Sequence, residues 1–230
     1  MKTIGLIGGM SWESTIPYYR EINQAIRARL GGLHSAKIVL YSVDFHEIEQ
    51  LQRSGDWATA GQALAQAAQS LEKAGADFIV IGANTMHKVA PEIQAAVQLP
   101  LLHITDCVAE EIKKSGFTKV GLLATRFTME QDFYKDRLRD LHGIETVIPN
   151  DVQRDTVHRI IYEELCLGKT LDASRHEYHG IMAGLIARGA QAIILGCTEI
   201  TLLVNQDDSS VPLFDTAKIH AQGAAELALA

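Results

Sequence analysis

LEKAGADFIVIGANT, residues 71–85, decides the fold, because the chain writes it again as LIARGAQAIILGCTE at residues 185–199. In the first copy a helical pattern stops at Gly75, the apolar run 78–81 follows, and Gly82 opens onto the polar corner Ala83-Asn84-Thr85. The second copy keeps Leu185 for Leu71, Gly189 for Gly75, Ala190 for Ala76, Ile193 for Ile79 and Gly196 for Gly82, and it places Cys197 where the first has Ala83. A glycine that stops a helix, then a short apolar run ending in a turn, is one helix–strand step of an α/β protein.

Outward from that pair the same order continues. IGLIGGM (4–10) lies over VGLLATR (120–126), and LPLLHITD (99–106) over VPLFDTA (211–217). Any two βα units share a glycine before an apolar strand, but matches in the same order favour a duplication. Candidate strands are 3–8, 37–43, 77–82, 100–105, 119–125, 145–149, 192–196 and 211–215. Their apolar runs do not alternate, which predicts strands covered on both faces of a parallel sheet. Helical spacing of Leu64, Ala67, Ala68 and Leu71 predicts a helix over 57–74, and 174–188 behaves alike. The expected fold is therefore α/β: two pseudo-symmetric, doubly wound lobes with mostly parallel sheets, facing each other across a cleft. Ligands of such sheets sit at the carboxyl ends of strands, where the turns after Gly8, Gly82, Ala124 and Gly196 lie. On this reading Ala83 and Cys197 approach one ligand from opposite sides.

Composition excludes several functions. A net charge of −7 gives no basic footprint for nucleic acid or anionic lipid. No apolar run approaches the ~18 residues of a membrane span, and the start MKTIGLIGGMSWE, broken at Ser11, Trp12 and Glu13, does not read as a signal peptide. Three widely spaced cysteines (Cys107, Cys166, Cys197) make neither a disulfide framework nor a zinc ribbon, and a reduced, cytoplasmic setting is expected. GGMS (8–11) lacks the G-x-G-x-x-G pattern of a dinucleotide site, and LGKT (167–170) has Glu163 where a P-loop needs its first glycine. His103, Asp106 and Cys107 lack metal-ligand spacing and are expected along one sheet edge.

The corners themselves suggest proton chemistry. Stereoinversion needs an acid/base group on each face of one carbon, and a cysteine serves when a helix N-terminus lowers its thiol pKa. Cys197, after a strand and before Thr198-Glu199, is placed for that role, whereas Cys107 and Cys166 read as small buried hydrophobes. Asn84 and Thr85, Thr198 and Glu199, and the pair Thr125/Thr128 offer amides, hydroxyls and backbone donors at strand ends, a cradle for a carboxylate. Each threonine alone also reads as a helix cap.

With IGLIGGMSWEST at the start, ANTMH at the first corner, LLATRFTM in the middle and GCTEI near the end, the chain resembles the cofactor-independent aspartate/glutamate racemase family over nearly its whole length. The resemblance implies a first lobe of residues 1–103 plus 215–230, the last helix returning to it, and a second lobe of 104–214. It also implies a homodimer and inversion of L- and D-aspartate or glutamate by two opposed cysteines, without pyridoxal phosphate, other cofactor or metal. Carried over, Cys197 is the cysteine that works on the α-proton of the L-isomer, and the other belongs at Ala83. Asn84, Thr85, Thr198 and Glu199 fall on substrate-binding positions, with Met10 and Gln52 as lining residues. Cys166 stands where aspartate racemases of the family carry a lysine for the side-chain carboxylate. Alanine cannot exchange a proton, so inversion is expected to be impaired. Three readings accommodate Ala83: a substitution that traps substrate, a one-cysteine decarboxylase of the same superfamily, or a non-catalytic amino-acid-binding protein.

Overall fold

The computed structural model describes residues 1–230, which form two compact units. Unit 1 comprises Met1–Ile104 and His220–Ala230. Its chain runs β1 (Thr3–Gly8), α1 (Trp12–Leu30), β2 (Lys37–Ser42), α2 (Phe45–Ser54), α3 (Trp57–Lys73), β3 (Phe78–Ile81), a 3₁₀ turn (Thr85–Val89), α4 (Ala90–Ala96) and β4 (Leu101–Leu102). The four strands pair in parallel in the order β2-β1-β3-β4, with Ile7 opposite Ile81. Leu64, Ala67, Ala68 and Leu71 of α3 are buried in one cluster with Ile7, Ile79, Ile81 and Ile93. That is the stripe the helical spacing predicted. Truncating Leu64 to alanine there should destabilise the fold by about 2–5 kcal/mol. Asp56 caps α3 by accepting from the Thr59 N–H.

Unit 2, Thr105–Ile219, holds all but the first residue of α5 (Ile104–Lys114), then β5 (Lys119–Ala124), α6 (Arg126–Glu130), α7 (Asp132–His142), β6 (Glu145–Val147), α8 (Asp151–Glu163), a 3₁₀ turn (Leu165–Leu167) and α9 (Asp172–Ala187). It ends with β7 (Ile193–Gly196), α10 (Ile200–Leu203), β8 (Leu213–Asp215) and the start of α11 (Thr216–Leu229), whose later part belongs to unit 1. The order β6-β5-β7-β8, again all parallel, repeats that of unit 1 strand for strand. α8 and α9 pack on β5 through Val157, Ile160, Met182 and Leu185, all buried. Asn150 and Gln153 close a capping box at the start of α8.

Two expectations fail. The run 100–105 was read as one strand, but β4 is two residues long and α5 begins at Ile104. Here Ile104 and Thr105 are buried helix residues, and their β-branched side chains mimic a continuing strand. Strands covered on both faces were expected throughout, yet β2 is largely exposed, with Leu40 and Tyr41 open to solvent. As the edge strand of its sheet, β2 has an apolar composition without the burial it suggested.

Candidate functional site

In an open parallel sheet the crevice for a ligand lies where the strand order reverses, beyond the carboxyl ends of the two central strands. In unit 1 those strands are β1 and β3, and in unit 2 they are β5 and β7. The four polar corners singled out by the sequence all follow these strands.

In unit 2 the ladder between β5 and β7 ends at the pair Ala124–Gly196, so Thr125 and Cys197 leave neighbouring strands side by side. Cys197 Sγ lies 3.0 Å from Oε2 of Glu199, and the thiol donates to the carboxylate. Cys166, in the 3₁₀ turn 165–167, hydrogen-bonds to the same side chain of Glu199. Glu199 is buried, and the Tyr178 hydroxyl from α9 is buried with no hydrogen-bond partner. Burial first, then the neighbouring Cys197 and Glu164, hold the proton on that hydroxyl.

These surroundings reverse one expectation. A helix N-terminus was to lower the Cys197 pKa, but burial, then the Glu199 carboxylate, push it well above the ordinary thiol value. The helix that follows, α10, has only four residues, too short for its dipole to compete. Cys166 is pushed up for the same reasons. Thr125 behaves as a cap: its hydroxyl accepts from the Thr128 N–H at 3.4 Å and lies 3.3 Å from the Thr128 hydroxyl. The Thr198 carbonyl accepts from the Thr201 hydroxyl at 2.8 Å.

In unit 1 Gly8 and Gly82 occupy the matching places. The turn after β1 needs its glycine. Gly9 has φ +90°, and a Cβ there would fall 2.3 Å from the Val43 carbonyl oxygen. Its N–H donates to the Thr15 hydroxyl at 2.7 Å. Met10 is a buried member of the hydrophobic cluster with Ile48 and Met86. Gln52 from α2 is also buried, its amide donating to Met86 Sδ at 3.0 Å. Met10, Gln52, Asn84 and Thr85 thus all sit within unit 1 as buried side chains. Ala83 is half-buried against the same cluster and carries no proton-transfer group. The Ala83 carbonyl accepts from His87 Nδ1 at 2.8 Å.

Residues 7–224 match the model of the family described as Asp/Glu/Hydantoin racemase. The chain belongs to the Asp/Glu/hydantoin racemase family. A protein from Yersinia pestis assigned to the Asp/Glu racemases is 63% identical over the whole of both chains, with a TM-score of 0.94. An aspartate racemase homologue from Pyrococcus horikoshii OT3 is 40% identical, again over both whole chains, with a TM-score of 0.86. The broad specificity amino-acid racemase RacX of Bacillus subtilis is 26% identical over 99% of this chain and 98% of its own. Together these support amino-acid racemase activity as the coarse function.

Within this racemase-family chain, Cys166 is more than a small packing residue. It was set down as a packing residue, but it addresses the carboxylate that Cys197 addresses. The contact joins residues 33 apart, 166 and 199, which no local pattern announces. His103, Asp106 and Cys107 do not line a sheet edge. His103 lies tilted against His87, with ring centroids 4.5 Å apart, while Asp106 on α5 accepts from two guanidinium nitrogens of Arg137 at 2.7 Å and lies 2.9 Å from His142. No group of three or more His, Cys, Asp or Glu side chains is arranged to hold a metal ion. No helix is long and apolar enough to cross a membrane.

Proposed function

We propose that this chain is a cofactor-independent racemase-type enzyme acting on L-aspartate or L-glutamate, with Cys197 as its one working acid/base. What carries the reading is the Cys197–Glu199 contact of 3.0 Å at the switch-point end of β7 in a chain of this family. The thiolate of Cys197 removes the α-proton of the L-isomer, leaving the electron pair delocalised into the substrate carboxylate. The thiol's own proton leaves to solvent beforehand, and the substrate's α-ammonium supplies the positive charge that offsets the Glu199 carboxylate and favours the thiolate. Full racemisation would require an acid at position 83 to protonate the opposite face. Ala83 has none, so the proton returns from Cys197 and the L-isomer is regenerated. Asn84, Thr85, Thr198 and Glu199 are assigned to substrate binding, with Thr125 and Thr128 as supporting donors. A homodimer in the cytoplasm completes the proposal.

The test is α-hydrogen exchange in D₂O followed by proton NMR, with chiral chromatography in parallel. L-Asp or L-Glu should lose its α-proton signal while the D-isomer does not accumulate. Replacing Cys197 by Ala should lower that exchange at least 100-fold. Exchange that survives Cys197→Ala would defeat the proposal, and CO₂ release from a malonate-type acid would put a one-cysteine decarboxylase in its place.

A further inference from the structure

We propose that His87 is a positioning residue for position 83, an imidazole brace that holds the backbone of the first corner in the orientation an acid side chain there would need. The inference rests on the racemase reading given above.

The last bond of β3 to the sheet is that of the Gly82 N–H to the Ile7 carbonyl at 2.8 Å, so sheet pairing no longer orients residue 83. His87 takes over that task. Its Nδ1 lies 2.8 Å from the Ala83 carbonyl oxygen, and its Nε2 lies 3.2 Å from the Ile104 backbone nitrogen. The Ile104 N–H can only donate, so Nε2 is the acceptor. Nδ1 therefore carries the hydrogen and donates to Ala83. One neutral tautomer satisfies both contacts, and the ring is buried.

The brace is itself fixed. The His220 ring meets His87 edge-on at 5.7 Å between centroids, and His103 lies against it at 4.5 Å. His220 takes the opposite tautomer: its Nε2–H donates to the Leu102 carbonyl at 2.9 Å, and its Nδ1 accepts from the Tyr18 hydroxyl at 2.9 Å. The carbonyl of residue 83 is thereby tied to the end of β4, the start of α5, α11 and α1, all within unit 1. The matching position in unit 2 is Thr201, which makes only a local bond to Thr198. An alanine methyl has no direction to protect. A side chain that must present a proton donor along one line does, because small misplacements of a reacting group are costly.

The experiment starts from Ala83→Cys, which should exchange the α-hydrogen of both isomers in D₂O. Adding His87→Leu should lower exchange of the D-isomer, the task of position 83, at least tenfold. Exchange of the L-isomer through Cys197 should stay within about twofold and so reports that the protein is folded. His87→Gln, which keeps one donor and one acceptor, should recover much of the loss. Equal D-isomer exchange with and without His87→Leu would overturn the brace. If Ala83→Cys alone exchanges neither isomer, the racemase reading fails instead. The brace is then decided by amide hydrogen exchange on the otherwise unaltered chain. There His87→Leu should speed exchange at residues 84–87 and leave 198–201 unchanged, and unaltered rates at 84–87 would overturn it.

Discussion

The corner that ends β3 and the corner that ends β7 occupy the same place in the same strand order, yet different means hold them. At residues 82–87 the backbone is secured over a distance, by an imidazole that reaches from the turn to Ile104. At residues 196–201 the backbone is secured locally, by Thr201 on Thr198, and side chains gather on Glu199, Cys197 from two residues away and Cys166 from a distant turn. One corner is therefore a well-oriented frame around an inert methyl, and the other is a thiol in a polar cluster. The two units share a backbone path while the chemistry at the tip differs.

The largest test of that contrast is to equalise the tips. Ala83→Cys should raise inversion of L-Asp or L-Glu by about 10²–10⁴-fold, the usual worth of a placed acid/base group, read by chiral chromatography. No gain on any amino acid would mean that the two corners do not serve one reaction.

Next comes acid, which should find unit 1 first. Burial holds the His220 imidazole down to about 4 from 6.5, so the folded chain refuses a proton that the unfolded chain accepts. The stabilisation is whole above about pH 6.5 and shrinks by roughly 3 kcal/mol as pH falls to about 4. In unit 2 His158 is pushed the same way, by burial and then Arg126, but less far. The carboxylates whose pKa values are lowered, Glu130 and Asp208, lose their contribution only as pH falls below their ordinary values of 4.5 and 3.8. Hydrogen exchange at pH 5 should thus show peptides around Tyr18 and Leu102 loosening before those around Tyr178 and Cys197.

A smaller effect is expected from Glu199→Gln. After burial, the carboxylate is the largest influence that keeps the Cys197 thiol protonated, so removing its charge lowers the thiol pKa. Alkylation of Cys197 by iodoacetamide at pH 7 should quicken by about tenfold for each unit the pKa falls, as followed by mass spectrometry. Unchanged rates would show that burial alone governs the thiol. The smallest is Thr125→Ala, which removes a cap and should cost about 1 kcal/mol in denaturant unfolding. If Thr125 also cradles substrate, KM will rise as well, whereas a pure cap leaves KM alone.

The central strands were legible because β1, β3, β5 and β7 are unbroken apolar runs closed by Gly8, Gly82, Ala124 and Gly196. The duplication was legible for the same reason. Helix α5 was not, since His103-Ile104-Thr105 prolongs an apolar run and nothing in composition separates a buried strand from a buried first turn. The exposure of β2 depends on its place at a sheet edge, which local sequence does not encode. In the site, the types Cys197, Thr198 and Glu199 were visible, but the direction of the thiol's pKa was not. It turns on burial and on where the Glu199 side chain points, and neighbours in sequence do not specify either. The histidine brace joins residues 83, 87, 104 and 220 and was invisible for that reason, although a histidine four places after the corner was a signal available to a reader looking for it.

The carboxylate of Glu199, addressed by two thiols, has one more consequence, and it concerns charge counting. With both thiols holding their protons, a thiolate on Cys197 would place a second negative charge beside the Glu199 carboxylate in a buried region. Cys166 is among the groups that raise the Cys197 pKa, so the titration of the two thiols belongs to the pair. Cys166→Ala, though it leaves Cys197 and Glu199 intact, should displace the apparent titration of Cys197.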